Sequence, residues 1–334
     1  MSETYIMKYQ SNIWLRRLSK LTVFSTLFLI FVGALVKSHE VGLSVPDWPT
    51  TYGKQMFAFP LSEMVGGIFY EHGHRMLATI VGFFTLLQAI WIGFSNEPVW
   101  LKRLGFLALG TVILQGMLGG ITVLFYLPPA VSIIHGILAQ TFFVITIIIA
   151  YSLSNERNTR EEMGHNESIR NGSILLISFV YIQLIFGALM RHTASGMAIP
   201  DFPTMGGLWF PTFSESMINN INVELFDMDW QAVSRNQVII HFIHRLGALI
   251  VTGFIGYFLY KNNQVIKTNN TLNKSKLLII LVLIIQVTLG ALTVLTERAP
   301  YVASFHVVNG AALLGLCFLL VLRTHPIEYS EWFK

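Results

Sequence analysis

Four histidines lie close to the starts of long apolar runs, at His74, His135, His244 and His306. An ionisable side chain in a membrane-length apolar segment is costly, and it usually marks a functional site with a partner. A single histidine of this kind is more simply interpreted as a helix cap or a hydrogen-bonding core residue. Four histidines at matching places in two halves of a chain indicate two pairs of metal ligands.

Two opposed imidazoles are the ligand set of a six-coordinate haem iron. Zinc or copper would usually take a third or fourth protein ligand, and the only cysteine, Cys317, lies in an apolar run far from the histidines. We therefore predict one bis-histidine haem in each half, held by His74 with His135 and by His244 with His306.

Arginines directly follow two of these histidines, at Arg75 and Arg245. A guanidinium beside an iron ligand could pair with the haem propionates, so both arginines are predicted to bind the cofactor. The alternative is an arginine that extends to the membrane interface and has no ligand role.

The two halves differ three residues before the histidine of the second span. Glu71 precedes His74 in EHGHR, whereas His241 holds the equivalent place before His244 in HFIHR. The spacing of three puts Glu71 on the same helical face as His74. A carboxylate beside the iron in one half predicts proton-coupled chemistry there and electron transfer in the other half. The alternative is a carboxylate favoured only by the helix N-terminus.

The elements that position these residues are membrane helices. The chain has 334 residues, of which 53% are hydrophobic and 12% charged, with a mean hydropathy of +0.59. This composition excludes a soluble or disordered protein, and the net charge of +4 suits loops at an anionic membrane surface better than a nucleic-acid partner. Apolar runs of about 20 residues, enough to cross a bilayer as helices, number eight. They are Leu18–Val36, His74–Phe94, Leu104–Phe125, Val131–Leu153, Ser173–Met190, Val238–Tyr260, Leu277–Leu295 and Val302–Leu322.

The basic residues predict the orientation of the spans. If the N-terminus is inside, most of the 22 lysines and arginines fall on the inner side, and five fall outside, at Lys37, Lys54, Arg191, Arg235 and Arg298. The excess of inner positive charge predicts that both termini are cytoplasmic and that the histidines lie toward the outer face of the cell (inner) membrane.

An internal repeat predicts the architecture. GALVKSHEVGLSVPDWPT at Gly33 matches GALMRHTASGMAIPDFPT at Gly187, and the histidines follow in the same order in both copies. The fold is thus expected to be all-α, with two tandem four-helix bundles related by pseudo-twofold symmetry. Residues 1–153 form the N-terminal bundle, 154–172 a cytoplasmic linker, and 173–334 the C-terminal bundle.

The outer loops carry the turn-rich motifs GLSVPDWPTTYG and GMAIPDFPTMGG, which predict rigid lids over the bundles. Asp47 and Asp201 in these motifs are expected to cap a short interfacial helix or to guide charge. His72 and His241 are expected to make supporting or loop contacts. The remaining histidines are interpreted as solvated; they are His39, His165, His192 and His325.

The chain resembles the haem A synthases of the Cox15/CtaA type from its first span to its eighth. The resemblance is carried by GLSVPDWPTTYG, by Glu71 with His74 and Arg75, by HGILAQ at His135, by HFIHR ending at Arg245, and by His306. It implies that the methyl group of haem O is oxidised to a formyl group by successive hydroxylations, giving haem A for terminal oxidases. It also implies that Glu71, His74 and His135 serve the substrate haem, and that His244 and His306 bind haem b.

The resemblance further implies a haem O synthase upstream and a haem-copper oxidase downstream. Many bacterial members of the family carry a cysteine pair in the first outer loop, where this chain has Val45 and Thr51, so a loop disulfide cannot pass reducing equivalents here. Two other function classes stay open from the residues: a cytochrome b electron carrier without haem-modifying chemistry, and a transporter. No span is visibly broken near its middle, which argues against the transporter.

Overall fold

The computed structural model describes residues 11–159 and 167–324, which form helices joined by loops and contain no β-strand. Eight helices are long and apolar enough to cross a membrane, as predicted. They are α1 (Ile13–Ser38), α2 (Gly67–Phe94), α3 (Val99–Leu124), α4 (Pro129–Ser152), α6 (Glu167–His192), α8 (Arg235–Lys261), α10 (Asn270–Leu295) and α11 (Pro300–Thr324). The shorter helices are α5 (Asn155–Thr159), α7 (Glu215–Asp227) and α9 (Asn263–Thr268), and the first outer loop has 3-10 turns at Met56–Ala58 and Leu61–Glu63.

The helix contacts fit two tandem bundles. In the first half, α1 packs on α2 and α4, and α3 packs between α2 and α4. In the second half, α6 packs on α8 and α11, and α10 packs on α11 but touches α8 only slightly. The second bundle is therefore less tightly closed between α8 and α10 than the first is between α2 and α3.

The two bundles meet along a seam formed by α1 and α4 of the first half and α6 and α11 of the second. Apolar side chains fill its inner part, including Phe143 and Ile147 of α4. A Cβ atom at Gly315 of α11 would lie 2.9 Å from Ile147, so a glycine is needed where α11 approaches α4 this closely. Close helix packing therefore holds the two halves against each other along the seam.

The predicted linker between the halves is partly helical. α5 follows the fourth span directly, and α6 begins at Glu167, inside the range 154–172. Residues 160–166, including His165, lie outside the described residues, as does His325.

Aspartates organise both outer-loop motifs, although they cap turns and not the short helix that we expected. Asp47 accepts hydrogen bonds from the N–H groups of Tyr52 (2.8 Å) and Gly53 (2.9 Å), and Asp201 accepts from the N–H groups of Gly206 (2.7 Å) and Gly207 (2.9 Å). Partial burial opposes the ionisation of Asp47, but these donors and the Thr50 hydroxyl outweigh it and lower the pKa of the carboxyl. The ionised side chain thus holds the turn closed.

The second outer loop contains the amphipathic helix α7. Ser214 caps its N-terminus by accepting from the N–H of Met217. The apolar face of α7 buries Met217, Ile221 and Leu225 against Ala198 and Ile199 of the loop motif. The segment between α6 and α8 is therefore folded onto the second bundle, with α7 packed against Val238 and Phe242 of α8.

Candidate functional site

Each of the four predicted ligand histidines packs against a glycine of the preceding membrane span. His74 lies on Gly33, His135 on Gly119, His244 on Gly187 and His306 on Gly290. A Cβ atom at these glycines would lie 2.9, 3.4, 3.2 and 3.0 Å, respectively, from Cε1 of the imidazole. In each case the space left by the missing side chain of the glycine is filled by a histidine ring. We call this contact between a glycine and an imidazole a glycine cradle. It occurs four times, twice in each half.

The histidines of the second half face each other. The ring centroids of His244 and His306 are 6.4 Å apart, with the rings at 77°. Two imidazoles that share a metal at about 2 Å from each nitrogen have their centroids about 6 Å apart, so the spacing fits one ion between the rings. In the first half, His74 and His135 are close enough to interact electrostatically.

The surroundings of these rings fit haem iron better than a metal bound only by side chains. The Nδ1 atoms of His74, His135 and His306 are buried without a hydrogen-bond partner, as expected for rings that await a ligand. Among the described residues, no group of three or more His, Cys, Asp or Glu side chains could hold a metal ion. Two axial histidines per half suit a porphyrin, which supplies the other four ligands itself.

Glutamines support three of the four histidines. The amides of Gln115 and Gln183 donate to the carbonyl oxygens of His135 (2.9 Å) and His244 (2.8 Å), and the amide of Gln286 lies 3.4 Å from the His306 ring. Gln115 and Gln286 occupy matching positions of the repeat, but the sequence analysis assigned none of the three glutamines to the site. A polar residue in an otherwise apolar span was the available signal.

Glu71 and Arg75 form a buried ion pair beneath the first outer loop. The Glu71 side chain accepts the N–H of Val45 at 2.8 Å and an N–H of Arg75 at 2.6 Å. Arg75 also donates to the carbonyl oxygens of Val45 (2.6 Å), Asp47 (2.7 Å) and Thr50 (3.1 Å). The loop, the carboxylate and the guanidinium are thus one hydrogen-bonded unit, and Glu71 and Arg75 flank His74 in the sequence of α2.

The second half repeats this arrangement without the carboxylate. The N–H of Ile199 lies 3.2 Å from Nδ1 of His241, and Nε of Arg245 lies 3.1 Å from its Nε2; a neutral imidazole accepts a hydrogen bond at one of these two nitrogens. Arg245 also donates to the carbonyl oxygens of Ile199 (2.9 Å) and Thr204 (3.0 Å). Both arginines therefore hold a loop, and their pairing with propionates stays a prediction.

Of the four histidines interpreted as solvated, His39 and His192 lie within the described residues. For both of them the interpretation was wrong. His39 stacks on Tyr70 with ring centroids 4.4 Å apart, and its Nε2 is buried. His192 is the last residue of α6 and lies at the seam. His72 makes the supporting contact expected of it, because its Nδ1 lies 2.9 Å from the hydroxyl of buried Thr51.

Substituting Gly290 with alanine is expected to displace the His306 ring. The new methyl group would lie 3.0 Å from Cε1, closer than ordinary van der Waals contact, so the ring must move by a few tenths of an ångström. We expect the variant to retain at most about a tenth of the haem of the wild type, measured per protein by pyridine haemochrome, since second-sphere changes at metal sites typically cost 10–100-fold in affinity. Gly253→Ala in α8 is the matched control, because nothing lies within 4 Å of its Cβ position. Equal haem content in both variants would show that His306 does not need a glycine at position 290 to bind haem.

Comparisons with known proteins agree with this geometry. A family model described as cytochrome oxidase assembly protein, COX15-CtaA, matches residues 16–318. The chain is 28% identical to the heme A synthase of Shewanella oneidensis, over 96% of this chain and 97% of that protein. It is 24% identical to the heme A synthase of Lysinibacillus sphaericus, over 97% and 100% of the two chains, and 22% identical to that of Halalkalibacterium halodurans, over 90% and 94%. The match to the family model covers most of the sequence, so the chain belongs to the COX15-CtaA family of cytochrome oxidase assembly proteins.

Proposed function

We propose that this protein is a haem A synthase, an oxidoreductase that converts the methyl group of haem O to the formyl group of haem A. The observation that carries the proposal is the asymmetry of two otherwise matching sites. Each half has a glycine-cradled pair of histidines, but a buried carboxylate, Glu71, stands beside the pair in the first half only. The names of the relatives support the same reaction.

The second half, 173–334, is the electron-carrying half in this proposal. His244 and His306 would hold a haem b, which when bound would supply one-electron transfer. Gln183 and Gln286 position the two histidines through the contacts described above.

The first half, residues 1–153, binds the substrate haem between His74 and His135. Glu71 is the catalytic residue that takes up or releases a proton at its carboxylate while the methyl group is oxidised. Arg75 is a positioning residue, because it fixes the Glu71 carboxylate and three carbonyl groups of the loop at once. Val45 and Thr51, fully buried in the same loop, exclude water from the site.

The protein is a multi-pass membrane protein, and the finer placement follows from the distribution of basic residues. We place both termini in the cytoplasm and the two haem sites toward the outer face of the cell membrane. A haem O synthase would supply the substrate and a haem-copper oxidase would consume the product.

The decisive experiment is to express the chain, with and without a haem O synthase, in a host that lacks haem A. Extracted haems are separated by chromatography and identified by mass. Haem A, or its hydroxylated precursor, is expected only when both proteins are present. Bound haem b with haem O left unmodified, in a folded protein, would refute the synthase and favour an electron-carrying cytochrome b.

A further inference from the structure

Two basic side chains lie at one end of the seam, Lys37 near the end of α1 and Arg191 of α6, which contacts Ala34 and Ser38 of the same helix. They occupy equivalent places in the repeat, in GALVK and GALMR. Each lies four residues, about one helical turn, beyond a glycine that cradles a ligand histidine: Gly33 for Lys37 and Gly187 for Arg191. We refer to Lys37 and Arg191 as the seam cations.

Arg191 reaches from the second half into the first. It donates to the carbonyl oxygen of Ala34 at 2.6 Å and to the hydroxyl of Ser38 at 3.0 Å, both in the last turns of α1. Ser38 in turn accepts a hydrogen bond from Ser304 of α11 at 2.9 Å. Arg191 is also close enough to act electrostatically on Lys37 and on His306. The seam cations thus stand beside the ligand helices of both halves.

The local balance of charge is positive. Arg191 and Arg298 both repel the Lys37 ammonium, and the carboxylate that acts on it is Glu40. The side chain of Glu40 is 68% exposed, and it lies 3.5 Å from Arg298, with which it is already paired. Partly buried like charges are unfavourable unless an anion sits between them, so this arrangement is suited to a bound anion.

A purely structural role accounts for only part of this arrangement. A cation near the C-terminus of a helix is favoured by the exposed carbonyl groups, and Arg191 does contact the end of α1. Those contacts use two of the five N–H donors of the guanidinium. They give no reason for placing Lys37 at the same point.

We infer that the seam cations form a carboxylate-binding site for the propionate groups of the haems. The inference rests on the proposed function and adds a second set of donors to Arg75 and Arg245, whose guanidinium groups are largely occupied by loop carbonyls. Arg191 serves the haem of His244 and His306, and Lys37 serves the haem of His74 and His135. Because Arg191 contacts Ala34 and Ser38, close to Lys37 in α1, the propionates of both haems would be held at the same end of the seam.

The test compares two porphyrins that differ only in their carboxylates. Purified apoprotein is titrated with iron protoporphyrin IX and with its dimethyl ester, and both dissociation constants are measured by absorbance. Arg191→Gln is expected to weaken binding of the free acid about 10-fold or more, the effect of one charge-assisted hydrogen bond, and to leave the ester unchanged. Arg191→Lys should restore part of the loss. Lys54→Gln, which removes an exposed outer cation paired with Glu63, is the matched control.

Each outcome separates the inference from the proposed function. A wild-type protein that binds neither porphyrin would refute the proposed function. Equal loss of the acid and the ester in Arg191→Gln would refute the inference, because the arginine would then act by capping α1 or by holding a lipid headgroup. If apo Arg191→Gln does not fold, binding of the free acid and of the dimethyl ester is compared in Lys37→Gln instead. This variant is made in a His306→Ala background, which leaves only the first-half site for iron protoporphyrin IX. An unchanged preference for the free acid there would overturn the inference.

Discussion

Replacing Glu71 with glutamine is expected to reduce haem A formation by about 100-fold or more while haem b stays bound. The amide retains the shape of the side chain and can still accept the N–H of Val45, but it cannot take up or release a proton. Loss of a positioned acid or base typically costs 10²–10⁴-fold in rate, which sets the expected size of the effect. The measurement is the haem A content of membranes that also contain a haem O synthase, alongside the reduced-minus-oxidised spectrum of haem b.

Two variants control for damage to the loop. Glu63→Gln removes a carboxylate from the same outer loop, 52% exposed and 3.1 Å from Lys54, and it should leave haem A formation unchanged. Glu71→Asp retains the charge and should restore part of the activity. Normal production of haem A by Glu71→Gln would show that the carboxylate only holds Arg75 and the loop.

The membrane spans were predictable because the bilayer imposes a single requirement on them. Every backbone polar group in the hydrocarbon must be paired within the chain, so hydrophobic runs of sufficient length can only be helices. All eight predicted spans are present in the structure. The helix ends extended beyond the apolar runs, as at Ile13 and Gly67, because helical hydrogen bonding continues into the interface where hydropathy gives no signal.

The contacts of the site were only partly predictable. The repeat located the four histidines and their glycines, since both are encoded by residue type at fixed offsets. The partners of Arg75 are mostly carbonyl oxygens of the loop, which every residue possesses, so their identity depends on the path of the backbone and not on composition. For the same reason, the sequence predicted that Asp47 caps a helix, whereas in the structure it caps a turn.

The contacts between the two halves at the seam could not be predicted from the sequence. Lys37 and Arg191 were counted only as outer basic residues, and His39 and His192 were interpreted as solvated. Their positions near one another result from the packing of one half on the other, so no sequence pattern within either half predicts them. Repeat symmetry gave the one available signal, because it places a cation at the same point of each half.

Replacing His306 or His244 with alanine is expected to remove the low-spin haem b spectrum from the purified protein. A bis-histidine haem requires both imidazoles, and the two ring centroids are 6.4 Å apart; among the described residues, no third His, Cys, Asp or Glu completes a metal-binding group with them. The loss is predicted to be nearly complete, because the alanine leaves a cavity lined by Gly290 or Gly187 in place of the ligand. Reduced-minus-oxidised spectra and haem content per protein measure it directly.

The same substitution in the first half provides the matched comparison. His74 is cradled by Gly33 as His306 is by Gly290, so His74→Ala removes an equally buried ring at an equivalent point of the repeat. It should abolish haem A formation yet leave the haem b spectrum intact, because the second-half pair is untouched. If His74→Ala instead removed the haem b spectrum and His306→Ala retained it, the assignment of the substrate and electron-carrying halves would have to be reversed. Glu71, which stands beside His74 alone, would then belong to the resident haem and not to the reacting one.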